Sequence, residues 1–85
     1  MTLHVAVNSL GRARMAVVVS TRHGKAIRRN RIKRLCREAF RLCREELPCG
    51  YDYVLRPKEG VDLSLQAVGE SLRKLTGRLI RDAKR

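Results

Sequence analysis

The sequence predicts a small α+β domain, one sheet of three short strands under two amphipathic helices, in the order β-β-α-β-α. Three observations predict it. β-rich stretches occur at Leu3–Val7, Arg14–Thr21 and Tyr51–Leu55. Two longer stretches carry apolar residues at three- and four-residue steps, the period of one helix face. Gly and Pro punctuate the junctions between them. Two helices on one small sheet make a two-layer sandwich, and 85 residues suffice for one such domain, spanning 1–85.

Leu3-His4-Val5-Ala6-Val7 alternates like a half-buried strand. Asn8-Ser9-Leu10-Gly11 is turn chemistry. The next strand, Arg14 to Thr21, has an unbroken apolar middle, Met15-Ala16-Val17-Val18-Val19, which predicts a central strand covered on both faces. The short connection fits an antiparallel hairpin between the two. Arg22-His23-Gly24-Lys25 is a basic loop, with Gly24 free to adopt unusual backbone angles. The first helix is expected from Ala26 to Glu46 or Leu47, ahead of Pro48. Tyr51–Leu55 is the third strand, closed by Pro57, and Lys58-Glu59-Gly60 is loop. From Ser64 to Ala83, Leu65, Val68, Leu72, Leu75 and Leu79 line one face of a second helix. Gly69 and Gly77 inside it each cost about 1 kcal/mol against Ala.

The first helix carries the chemistry. Ile32, Leu35, Cys36, Ala39, Phe40 and Cys43 share a greasy face. At about 100° per residue, Asn30, Lys33, Arg34, Arg37, Arg41 and Arg44 share the opposite side. Between Arg22 and Arg44 there are ten Lys or Arg and one acid, Glu38. Like charges three and four residues apart destabilise a helix by about 0.2–0.5 kcal/mol per pair. A polyanion removes that repulsion and releases condensed counterions. The net charge of +12 points the same way, to nucleic acid before anionic membrane. With no Trp and one Phe, a membrane-lytic role is the weaker reading. No apolar run approaches the ~20 residues of a membrane span. Met-Thr-Leu-His-Val lacks a signal-peptide layout, so a cytoplasmic protein is expected.

Gly24-Lys25-Ala26-Ile27-Arg28-Arg29-Asn30-Arg31-Ile32-Lys33-Arg34-Leu35-Cys36-Arg37-Glu38-Ala39-Phe40-Arg41 closely resembles the signature of the bacterial ribonuclease P protein component. In that family a strand ending in Ser, here Ser20, leads through a basic loop with Gly into a helix carrying Arg-Asn-Arg-x-Lys-Arg-x-x-Arg-Glu. The resemblance is strong from Val17 to Arg44 and looser on either side. It implies a fold like domain 2 of ribosomal protein S5, with a left-handed β-α-β crossover where the general rule favours a right-handed one. It implies that the partner RNA subunit is the catalyst and holds Mg²⁺, while the protein binds that RNA and helps hold precursor tRNA. Arg29, Asn30, Arg31, Lys33, Arg34 and Arg37 match the family's RNA contacts. Arg22, Lys25, Arg28 and Arg41 complete the expected RNA-facing set. Asn30 can read a 2′-hydroxyl or hold the loop by a side-chain hydrogen bond.

Family members usually carry a further N-terminal helix and edge strand, so the resemblance implies a start codon upstream or a shortened chain. That helix walls a cleft for the 5′ leader of precursor tRNA. His4 matches the position of an aromatic on the sheet side of the cleft; it stacks on a base or is simply a strand-edge His without a ligand. Thr21-Arg22 stands where two Lys are common, and His23 where an aliphatic residue is.

The protein's own residues do not suggest a self-sufficient catalyst. Glu38, Glu45, Glu46, Asp52, Glu59, Asp62, Glu70 and Asp82 form no metal-binding spacing, and His4 and His23 stand apart. Glu38 reads as an intrahelical partner of Arg34 or Arg41. Cys36 and Cys43 lie seven apart on one helix, about 10 Å between Cα atoms, beyond disulfide reach. They read as core residues, and Cys49 as a loop thiol. The expected function is therefore that of a ribonuclease P protein subunit assisting leader removal. The alternatives are a structural RNA binder of ribosomal type and a DNA-binding or membrane-active basic domain.

Overall fold

The computed structural model describes residues 1–60 and 63–83. Its elements are β1 (Thr2–Val7), β2 (Arg14–Val17), α1 (Ala26–Cys43), β3 (Tyr51–Arg56) and α2 (Leu65–Ala83). A 3₁₀ turn at Thr21–His23 precedes α1 and another at Arg44–Glu46 extends it. The element order and α+β class match expectation.

The sheet order does not match a hairpin. The strands run β1-β3-β2, with β3 antiparallel to β1 and parallel to β2. β3 is thus the central strand, and its inward residues Tyr53 and Leu55 are fully buried. β2, expected in the centre, is an edge strand among the described residues. It is also shorter than expected, ending at Val17 with one further backbone bond from Val18 N–H to the Leu55 carbonyl (2.9 Å). Its apolar run misleads because Val18 is 40% exposed, on the face away from the helices, and Ala16 is exposed too.

Residues 8–13 carry the chain past β3, a span of two strand spacings, about 10 Å. Asn8 holds this loop: its Oδ1 accepts from Leu10 N–H (3.0 Å), and its Nδ2 donates to the Arg12 carbonyl (3.1 Å) and to Asp52 Oδ1 (2.8 Å). Arg14 donates to both oxygens of Asp52 (2.9 and 2.8 Å). Asp52 therefore ties the β1–β2 loop and β2 to the central strand. Arg14 first, then Asn8, holds its carboxyl down at about 2.

Both helices pack on the inward face of the sheet. Cys36, Ala39, Phe40 and Cys43 of α1 join Leu3, Leu47, Tyr53, Leu55, Val68 and Leu72 in one core. Ile32 and Leu35 are half-buried at its margin. The Phe40 and Tyr53 rings lie 5.9 Å apart and tilted by 53°, a favourable aromatic geometry that fixes α1 over β3. Tyr53 Oη donates to the Pro48 carbonyl (2.6 Å), and burial pushes its phenol up to about 12. Cys36 and Cys43 are free, buried thiols; burial raises both, Cys36 to about 11.

Candidate nucleic-acid interface

Because α1 buries one face, its other side must meet solvent. Arg22, Lys25, Arg28, Asn30, Arg31, Arg34, Arg37 and Arg41 are exposed, and Arg29 and Lys33 are half-buried. The structure thus gathers the expected cationic set on one helix and the turn leading into it. The segment's one acid is engaged by Arg41, not Arg34: Arg41 Nε donates to Glu38 Oε2 (3.1 Å) and Nη2 to Oε1. Among the described residues, Arg22, Lys25, Arg31, Lys33, Arg34 and Arg37 have no carboxylate partner. Arg29 Nε is buried and makes no hydrogen bond among the described residues. Lys25 at the start of α1 provides no side-chain cap, and the first turn carries no acid. Its free backbone N–H groups and the positive end of the helix dipole add to the same field.

The loop before α1 is built rather than floppy. Ser20 Oγ accepts from Arg22 N–H (3.3 Å), and Ser20 N–H donates to His23 Nδ1 (3.0 Å). With Nδ1 accepting, Nε2 carries the proton and donates to the Pro57 carbonyl (2.7 Å). His23 is only 8% exposed. It rivets the entry of the basic helix to the end of β3. In the sequence alone His23 stands as an isolated loop residue; the Ser-x-x-His spacing, a capping box with His in place of the acid, is the signal that could have found it. Gly24 follows at φ +113°. A Cβ there would lie 2.7 Å from Arg28 Cδ, so the bare glycine lets Arg28 fold back across the loop.

His4 stands apart from this surface. It is exposed on the sheet face away from the helices, opposite Val54. Among the described residues, no three His, Cys, Asp or Glu side chains gather as metal ligands, and no helix is long and apolar enough to cross a membrane. Asp62 lies outside the described residues.

The model of the family described as Ribonuclease P matches residues 1–80. The chain belongs to the ribonuclease P protein family. It is 47% identical over 72 residues to the ribonuclease P protein component of Pelotomaculum thermopropionicum, covering 84% of this chain and 64% of that one. It is 47% identical over 79 residues to that of Serratia proteamaculans, covering 91% and 66%. The chain thus spans just under two thirds of the length of these relatives. The RNase P protein from Thermotoga maritima superimposes with a TM-score of 0.76 at 34% identity, covering 89% of this chain and 74% of that one. The stretch that matches the ribonuclease P family holds both the basic helix and the sheet beneath it.

Proposed function

We propose that this chain acts as the protein subunit of ribonuclease P in the cytoplasm, assisting hydrolytic, endonucleolytic removal of the 5′ leader from precursor tRNA. The cationic face of α1 binds the RNA subunit. Arg31, Lys33, Arg34 and Arg37 supply charge that no carboxylate takes up among the described residues, and guanidinium groups can grip phosphate through two parallel bonds. Arg22, Lys25, Arg28 and Arg29 extend the contact around the rigid entry loop, and Arg41 flanks it. Asn30 sits within this field as a neutral donor and acceptor. Catalysis and the Mg²⁺ belong to the RNA, while the protein lowers repulsion between RNA strands and aligns the substrate. His4 is the candidate leader contact on the outward sheet face.

The observation that carries this reading is a set of cations on α1, Arg31, Lys33, Arg34 and Arg37, without a carboxylate partner among the described residues, on a helix packed against its sheet in a chain that matches the family over residues 1–80. The test is multiple-turnover cleavage of precursor tRNA by bacterial ribonuclease P RNA at low Mg²⁺, with and without the protein. Stimulation that fades as Mg²⁺ rises is expected. RNA binding without stimulation at any Mg²⁺ would leave only an RNA-binding protein. For His4→Ala, affinity should fall for a substrate with a leader and stay unchanged for mature tRNA.

A further inference from the structure

α2 carries a second cationic surface, which the α1 reading does not use. From Ser71 to Arg81 the sequence holds Arg73, Lys74, Arg78 and Arg81 and no acid. Val68, Leu72 and Ile80 point α2 into the core. At about 100° per residue, Lys74, Arg78 and Arg81 fall within one arc of about 60°, directly opposite Leu72. All three are exposed and lack a carboxylate partner among the described residues. Their steps of four and three residues set them about 6 Å and 4.5 Å apart along the axis.

Two acids near this arc face other groups. Arg73 takes Glu46, and Glu70 accepts from Gln66 (3.2 Å). The helix dipole favours a cation in the last turn, which accounts for Arg81. It does not account for Lys74 beside Arg78, a repelling pair one turn apart. Nor does this surface continue the α1 patch. Arg73 pairs with Glu46, beyond the C-terminal end of α1, and a groove lined by Leu47, Pro48, Gly77 and Ile80 follows it. The arc therefore lies past the end of α1 remote from Arg22 and Lys25, on a molecule 39 Å long.

We propose that Lys74, Arg78 and Arg81 form a second phosphate-backbone contact, so that the protein bridges two segments of RNA, one on each helix. A row of flexible cations without aromatic or amide partners suits backbone contact rather than base readout. The probe takes the proposed function as its premise: bacterial ribonuclease P RNA, titrated with the full chain over a range of monovalent salt at fixed Mg²⁺. Three proteins are compared with wild type: Lys74→Ala/Arg78→Ala/Arg81→Ala, Arg31→Ala/Lys33→Ala/Arg34→Ala, and the combination. Circular dichroism melts confirm that each is folded.

The α2 triple variant should flatten the log–log salt slope by about 2, at somewhat under one for each phosphate left without its cation. The effect should add to that of the α1 variant. An unchanged slope in the α2 variant overturns the proposal, leaving a solvated face. Binding of wild type to phosphatidylglycerol vesicles that the α2 changes abolish, with the RNA slope unchanged, overturns it in favour of a membrane surface. If only the α1 variant leaves the slope unchanged, the α1 assignment fails and the bridge loses one end, while the α2 contact stands.

Discussion

Phe40 is the side chain through which the basic helix is held to the sheet, and Phe40→Ala is the sharpest test of the fold. The ring is 7% exposed and packs against Tyr53, itself fully buried. Truncating a buried Phe costs about 3–5 kcal/mol, the forgone transfer energy plus an unfilled cavity. Whole-domain stability at ~0.05–0.15 kcal/mol per residue comes to about 4–13 kcal/mol for this length. The variant should therefore lose about a quarter or more of its stability and at the low end not fold alone. One kcal/mol moves the melting midpoint of a domain this size by about 4–8 °C, so a drop of at least ~12 °C is expected. Phe40→Leu, which keeps most of the volume, should fall well short of that. Thermal melts followed by circular dichroism measure both. A midpoint within a degree or two of wild type for Phe40→Ala would falsify the assignment of this face to the core. Ribonuclease P RNA should restore helicity to the Ala variant, since binding the folded form adds stability by mass action.

Other outcomes follow from single features. Gly24→Ala should cost about 1–3 kcal/mol, because its backbone region is nearly closed to other residues and Arg28 must move aside; a neutral melt would refute the loop geometry. Asp52 is held at about 2 in the folded protein against an ordinary 3.8, so its contribution is full above about pH 4 and is lost as pH falls toward 2. Asp52→Asn should be less stable than wild type at neutral pH and converge on it in acid; a difference that persists unchanged at pH 2 would contradict the ion-pair role. Cys49 is exposed while Cys36 and Cys43 are buried, so one thiol should react with Ellman's reagent in the native protein and three after unfolding. In the RNA-binding assay, Arg34→Ala should flatten the salt slope by somewhat under one, whereas Asn30→Ala, which removes no charge, should weaken binding with the slope intact.

The sequence by itself determined the helices, their faces and the cationic surface. These depend on contacts three and four residues apart, so Ile32, Cys36, Ala39 and Phe40 define the buried side of α1 without reference to the rest of the chain. Strand boundaries were legible for β1 and β3 for a similar reason, the local alternation of side chains. Strand order was not. Met15–Val19 is apolar enough for a central strand, yet β3 takes the centre, because residues 8–13 are long enough to pass it and Asp52 binds Asn8 and Arg14 from there. The pairing of Arg41 rather than Arg34 with Glu38 was decided by side-chain geometry that i,i+3 and i,i+4 spacing leaves open. His23 depended on a partner thirty-four positions away, the Pro57 carbonyl, which only the folded chain brings to its ring. What is periodic along the chain can be read from it; what rests on two distant segments meeting is settled by the tertiary structure, because nothing local distinguishes the partner.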